Sequence, residues 1–531
     1  MLKNIFSVLL VLSGVFAKAQ NINVVQRGSL SYPGRECANI CGYVDSTGIE
    51  YALVGVETGM SIVDVSDPDN PVEVKSIPWP PGPSQIWKEI KVYKHYAYVT
   101  SEAGSGLQIC DLKFLPLDSV PYHHWEPDIL GQTLNTIHAL HVDTTLGNIY
   151  LYGSNIGNNG AICASLADPW NPVYLGMYDP FYVHDGYVDN DTLYAGEILN
   201  GTCSIVDFTD KNNPQVLSSF PTTGNFTHNT WPSFDKKTLF TTDEVNNSYI
   251  TAYDISDLGN ITELDKIKTN PGSNSIVHNV HVRKDSFAVT SWYTEGFTIV
   301  DVSRPHNLIE VGKYDTYSGA LGDGFHGAWG VYPFLPSGTI VVSNIEDGLH
   351  VFTPTYVHAC WLEGNIKDSV TLANLNGVQI QIISQAQAST TTANDGNYAT
   401  GTVNAGTYSV QLSRSGYQTL VVNNVVLTNG VLSVLDRKLM PNGIGINDYA
   451  NNLSNIVIGK NPFSDHAIAY YSLSNLTETH TLKVFDNIGR LTEQHELKSA
   501  SGEMQIGNSL EAGVYYVCID NNAPIRILKT N

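Results

Sequence analysis

Five histidines recur at matching places along the chain: His138 in "TIHALHV", His184 in "YVHDGYV", His228 in "FTHNTW", His278 in "IVHNVHV" and His326 in "GFHGAWGV". Each opens a stretch in which apolar and polar residues alternate. Further along each stretch an acid precedes a glycine or turn: Glu57, Glu102, Glu197, Asp243 with Glu244, Glu295, and Glu346 with Asp347. Imidazoles bind transition metals, and carboxylates either join them as ligands or hold the rings in orientation. The candidate ligand-binding set is therefore His138, His184, His228, His278 and His326 with Glu197, Glu295 and Glu346 beside them. The five histidines are the candidate metal ligands, and a divalent metal ion is the cofactor this chemistry would take. A competing reading is structural, because a repeat also copies the histidine that pins a turn to a carbonyl or to the next repeat's acid. His141 and His281, three residues beyond their partners, fall on the other side of a strand by the period of two and are weaker candidates. Trp231 and Trp329 could line a pocket or pack between repeats.

The elements that carry these residues are written in a repeated phrase: "GMSIVDVSDPDNP", "GLQICDLKF", "GAICASLADPWNP", "GTCSIVDFTDKNNP", "SYITAYDISDLGN", "GFTIVDVSRPHN" and "GLHVFTPTY". The seven copies lie roughly 40–55 residues apart, the period of a four-stranded propeller blade. Strand-forming Val, Ile and Tyr alternate, and Asp-Pro and Asn-Pro corners end the strands. The last copy lacks a fourth strand, and "INVVQRGSLSYP" at the other end supplies one. The reading is all-β: a seven-bladed β-propeller closed by an N-terminal strand, followed by two small β-sandwich domains. In it the histidines gather at one mouth of the central channel.

Composition agrees with short strands, with 29 tyrosines, 45 glycines and only 5 methionines. The formal net charge of −23 argues against nucleic acid as a partner. "MLKNIFSVLLVLSGVFAKAQ" has the lysine, apolar run and small residues of a secretory signal peptide, residues 1–19, and the run is too short for a membrane anchor. No transmembrane segment is expected in the mature chain. Seven cysteines in a chain bound for an oxidising compartment form no zinc pattern; Cys37 and Cys41 could bridge or bind a metal, whereas Cys110 and Cys163 read as core. The oxygen-rich "DVSDPDNP" and "DFTDKNNP" lack the length and terminal glutamate of an EF-hand, and turn chemistry accounts for them more simply. Serine-hydrolase, zincin and phosphate-loop motifs are not apparent.

The phrases "SIVDVSDP", "SIVDFTD" and "TIVDVSRP" resemble the LVIVD repeat of secreted choice-of-anchor B proteins, which implies a propeller over residues 20–357 and extracellular placement. "WLEGNIKDSVTLANLNGVQIQIIS" with "NDGNY", "AGTYSV" and "SGY" resembles the carboxypeptidase regulatory-like or transthyretin-like sandwich, residues 358–441. The succession "NPF", "YYSL", "LKVFDNIGR", "LEAGVYYV" and "ILK" resembles the C-terminal sorting domain of type IX secretion, residues 445–531. That last resemblance implies the type IX secretion machinery as a partner and delivery to the medium or the outer cell surface. The expected function is a binding or scaffold module for an extracellular polymer or protein ligand. The alternative is a metal-dependent hydrolase or lyase that uses the histidine face.

Overall fold

The computed structural model describes residues 21–80, 86–116, 119–284, 286–319, 322–383, 385, 388–442, 455–473, 479–520 and 522–531. The predicted signal peptide lies outside them. The described residues are almost wholly β-strand and turn, without an α-helix. None of their helices is long and apolar enough to cross a membrane, which says nothing of a strand-built barrel. The chain divides into two compact units, the first running to Lys438 apart from two short segments.

Between Val24 and Pro354 the first unit contains seven four-stranded antiparallel sheets in chain order. Six are simple meanders, such as Cys37–Val44, Glu50–Val56, Gly59–Asp64 and Val72–Pro78. The seventh pairs Ala328–Tyr332, Ile340–Asn344 and Gly348–Pro354 with the N-terminal strand Val24–Leu30, from Val24 opposite Pro354 to Leu30 opposite Leu349. The expected N-terminal completion is thus present in the pairing.

The repeated phrase performs three tasks. Its aspartate ends the third strand by accepting the backbone N–H two residues on: Asp64 from Ser66 at 2.9 Å, Asp207 from Thr209 at 2.8 Å, Asp254 from Ser256 at 2.9 Å and Asp301 from Ser303 at 3.0 Å. The following Asp-rich corner closes on itself, Asp67 accepting from the Asn70 amide and Asp168 from the Asn171 amide, both at 2.8 Å. These oxygens are engaged in turns. The opening glycine lets the fourth strand approach: at Gly296, with φ of 74°, a Cβ would lie 2.0 Å from the Tyr314 carbonyl oxygen. Five sheets also share a bulge between third and fourth strands, for example at Ile62/Val63 and Ile299/Val300.

Because both faces of these strands are apolar, each sheet buries one face against its predecessor and the other against its successor. Tyr51 and Leu53 of the first sheet pack with Ala97 and Val99 of the second. Leu107 and Ile109 meet Leu140 and Leu151, and Tyr150 and Cys163 meet Leu193 and Val206. The series continues through Ile205 with Tyr253, Phe240 with Ala288, and Phe297 with Val342. It returns to its start where Val341 and Val351 pack on Ala52 and Val54. All seven cysteines are buried and unpaired, and among the described residues none belongs to a group placed to hold a metal ion; burial pushes the Cys41 thiol up to about 12.

Also in the first unit, Cys360–Asp368, Asn397–Thr402, Leu432–Val434 and Arg437–Leu439 form one sheet. Gln379–Ile382, Ser389–Thr391, Gly406–Ser413 and Leu420–Leu427 form another, and Leu362, Ile380 and Leu412 are buried among them. The second unit, Asp368–Leu372, Arg414–Gln418 and Leu439–Asn531, has a three-stranded and a four-stranded sheet sharing a core of Ala467, Ala469, Leu482, Val484, Val517 and Ile519.

Candidate metal centre

Four successive sheets, the third to the sixth, each present one histidine at the start of their first strand. The backbone sets this equivalence: the N–H groups of His138, His184 and His278 donate to the carbonyls of Tyr152, Gly196 and Ser291 on the neighbouring second strands. The four imidazoles then touch in chain order, with ring centroids 4.0 Å apart for His138 and His184, 4.6 Å for His184 and His228, and 4.4 Å for His228 and His278.

Assigning the ring nitrogens shows what this row can bind. His278 Nδ1 lies 2.6 Å from the Trp329 carbonyl oxygen, which can only accept, so Nδ1 carries the hydrogen and Nε2 carries a lone pair. That Nε2 faces Glu244 Oε1 at 3.7 Å, and His228 Nε2 faces Glu244 Oε2 at 3.7 Å. His228 Nδ1 is buried with no hydrogen-bond partner among the described residues. His184 Nδ1 is 3.0 Å from the Tyr182 hydroxyl, and the Tyr293 hydroxyl donates to Glu244 Oε1 at 2.6 Å. One ligand atom from each of His184, His228 and Glu244 fits within 4.8 Å of the others.

Burial sets the protonation. It pushes His184 and His228 well below the ordinary histidine range and His278 down to about 3, so all three rings are neutral and each carries one nitrogen lone pair. It pushes Glu244 up to about 7. Nitrogen lone pairs therefore surround a carboxylate with no cation among them, an arrangement that a proton or a metal ion would satisfy. A mixed imidazole and carboxylate set suits zinc and other divalent transition metals. The Trp329 carbonyl and the Tyr293 hydroxyl would orient its members.

His138 sits at the end of the row, with Nδ1 2.5 Å from Glu102 Oε1; that hydrogen bond holds the Glu102 carboxyl below its usual range. His326 does not enter the row. Its ring stacks on Tyr317 at 5.8 Å, its Nδ1 lies 2.6 Å from Glu346 Oε1, and its side chain is 58 % exposed. Glu346 also accepts the Gly327 N–H at 2.9 Å. His326 and Glu346 nevertheless line a cavity that reaches Glu244. Glu197 and Glu295 are each engaged by neighbouring donors. Glu197 accepts from the Tyr178 hydroxyl at 2.8 Å and the Thr202 hydroxyl at 2.7 Å, locking strands together, and buried Glu295 accepts from the Asn270 amide.

Sequence reasoning passed over Glu244 as a ligand, although a signal existed in "TTDEVN". Two acids stand where the repeat needs one. Asp243 takes the structural task, accepting from the Thr222 hydroxyl at 2.5 Å and the Phe226 N–H at 2.9 Å, which frees its neighbour. Below the row, Asp185 Oδ2 accepts from the amides of Asn229 at 2.7 Å and Asn279 at 3.0 Å. Burial and nearby Glu89 push Asp185 up to about 6. His141 and His281, separated from their partners as the period of two predicts, line another cavity with Trp231 and Lys91.

Comparison with known families matches the LVIVD repeat at residues 50–77 and 291–316, and the carboxypeptidase regulatory-like domain at residues 362–439. No curated protein matches the chain.

Proposed function

We propose that the protein is a secreted or cell-surface binding module whose seven sheets are the blades of a β-propeller, and that it holds a divalent transition-metal ion through His184, His228, His278 and Glu244. The unbroken series of inter-sheet cores and the strand Val24–Leu30 completing the seventh sheet support the propeller. The matched LVIVD and carboxypeptidase regulatory-like segments support extracellular placement. Export by type IX secretion rests on the resemblance of residues 445–531, and signal-peptide processing on that of residues 1–19. In this reading the row of histidines stands at one mouth of the channel.

The observation that carries the metal is the facing of Glu244 by the Nε2 atoms of His228 and His278, at 3.7 Å each, with the Nδ1 hydrogen of His278 already committed to a carbonyl. The test is elemental analysis of protein purified without chelator or histidine tag, followed by metal titration of the stripped protein. One bound ion per chain is expected, and its removal should lower the melting temperature by roughly 5–10 °C if the site is held near saturation. A His184→Ala, His228→Ala variant that folds and keeps the ion would overturn the assignment.

One placement favours a metal-dependent hydrolase or lyase as a second reading. Asp185 lines a small cavity with His138, His228 and His278, where a carboxylate could serve as general base to a metal-bound water. Loss of any turnover in Asp185→Asn with metal content unchanged would separate this reading from binding alone.

A further inference from the structure

Beside the histidine row lies a cavity of about 360 Å³ whose walls are of two kinds. One is aromatic. Tyr293 forms the floor with 1 % exposure, and Phe325 stands perpendicular to it, 90° between planes and 5.2 Å between centroids. Trp329 meets Tyr293 at 75° and 6.3 Å. Trp87 completes the lining at 41 % exposure and Phe325 is 56 % exposed, so two large aromatic side chains face solvent at one opening. Exposed apolar surface rimmed by polar residues is a feature of ligand-binding grooves.

The other wall is acidic. Glu36, Glu244 and Glu346 all line the cavity together with His326, whose Nδ1 lies 2.6 Å from Glu346, and neither lysine nor arginine is among its lining residues. The carboxylate of Glu36 is exposed and makes no hydrogen bond or ion pair among the described residues. Aromatic faces carry negative potential, and the attraction of a cation to them grows when water is excluded. Mutually perpendicular rings with carboxylates at the edge give a cation an aromatic face on several sides and a counter-charge on another. An anion would meet repulsion from three acids. A neutral apolar body would leave Glu36 without a partner, and would make no use of the charge of Glu346 beyond its bonds to His326 and Gly327.

We propose that this cavity is a binding site for organic cations of the alkylammonium class, held by Phe325, Trp329 and Trp87 and electrostatically by Glu36 and Glu346. It goes beyond the metal reading and does not depend on it. A quaternary ammonium has no lone pair and cannot coordinate a metal ion, so the two kinds of ligand are separable. The metal would draw on Glu244, leaving the ammonium to the rim acids. Loading the metal should therefore weaken ammonium binding without abolishing it.

The probe is choline, compared by calorimetric titration with 3,3-dimethylbutan-1-ol, which has the same shape without the charge. Choline is expected to bind the full chain at least about tenfold more tightly than the neutral alcohol, the order of effect of a partly desolvated cation on aromatic faces. Glu36→Gln and Phe325→Ala are both at exposed positions where folding should be undisturbed; the first should weaken choline about fivefold or more and leave the alcohol unchanged, and the second should weaken choline about fivefold or more and the alcohol less. Equal binding of the two probes would overturn the proposal, as would no choline binding by folded protein, or binding insensitive to both substitutions. Metal content measured on the same samples reports separately on the metal site: an ion present with no choline bound sinks only this inference, and choline bound with no ion sinks only the other.

Discussion

At the scale of residues, the histidines show how burial turns an ordinary side chain into a pH-sensitive one. His281 is packed against Trp231 and Phe334, with centroid separations of 5.0 and 5.8 Å, and its Nδ1 has no partner among the described residues. Burial, and then Lys91, push it down to about 3. Between that value and the ordinary 6.5, the unfolded chain holds a proton that the folded chain does not, so stability is lost as pH falls below about 6.5. The loss is about 1.4 kcal/mol per pH unit, or about 2 kcal/mol by pH 5. His281→Phe, similar in shape, should remove that share. Urea unfolding at pH 7.5 and pH 5 should show the variant less acid-sensitive by this amount, with a residual slope from the other histidines that burial depresses, among them His141, His184, His228 and His278. An unchanged slope would mean that His281 takes up a proton in the folded state. At the other site, Tyr293→Phe removes the donor to Glu244 and should weaken metal binding about tenfold, within the range for loss of a group orienting a ligand. Unaltered affinity in a metal titration would show that the tyrosine does not orient the carboxylate. Four of the five histidines were legible because their spacing follows the repeat. The partner acid was harder to read, since only the doubled acid of "TTDEVN" sets Glu244 apart from Glu197 and Glu295, and the neighbouring donors decide which carboxylates are used up in the fold.

At the scale of elements, the phrase "VDVS" was readable as strand and turn, but one copy has an additional task that no periodicity announces. Asp301 ends its strand like its counterparts, and its second oxygen also accepts the Ala359 N–H at 2.8 Å and lies 2.9 Å from His358 Nδ1. Three residues on, Arg304 donates two bonds of 2.9 Å to Glu363, and the Asn307 amide donates to the same carboxylate at 3.0 Å. The sixth repeat is thereby fastened to the first strand of the sandwich matched as carboxypeptidase regulatory-like. Sequence reasoning saw "TIVDVSRPHN" and "WLEGN" separately because their coupling is between distant segments. Glu363→Ala would leave the partly buried Arg304 without its partner and should cost about 2 kcal/mol. In calorimetry this should appear as earlier melting of the sandwich, with the repeat region little changed. A single transition shifted as a whole would show that the two segments unfold together.

At the scale of the whole molecule, the proposed propeller depends on a chain that begins and ends its repeats in the same sheet. Val24–Leu30 contributes a fourth strand that the local sequence of the seventh repeat does not contain, and "INVVQRGSLSYP" could be matched to it only by counting strands in all seven copies. The strand does more than cover an edge. Val24 and Tyr32 are 7 % and 3 % exposed, and the Tyr32 hydroxyl donates to Ser61 in the first sheet at 2.9 Å, tying the seventh sheet to the first. Burying the two side chains is worth about 2 kcal/mol each, to which the loss of the strand's ladder adds. Deleting residues 21–33 should therefore lower the melting temperature of the repeat region by roughly 10 °C and expose an unpaired strand edge that promotes self-association. Adding a peptide of residues 21–33 to the truncated protein should restore the lost stability and suppress the association, because the closing strand is held to its sheet by its ladder and by buried side chains, both non-covalent. If the truncated protein melts unchanged and stays monomeric, the strand is an accessory and the seven sheets hold together without it. If it is destabilised but the peptide fails to rescue it, the closing strand must be delivered by its covalent link to the first sheet, and the closure is a property of the continuous chain.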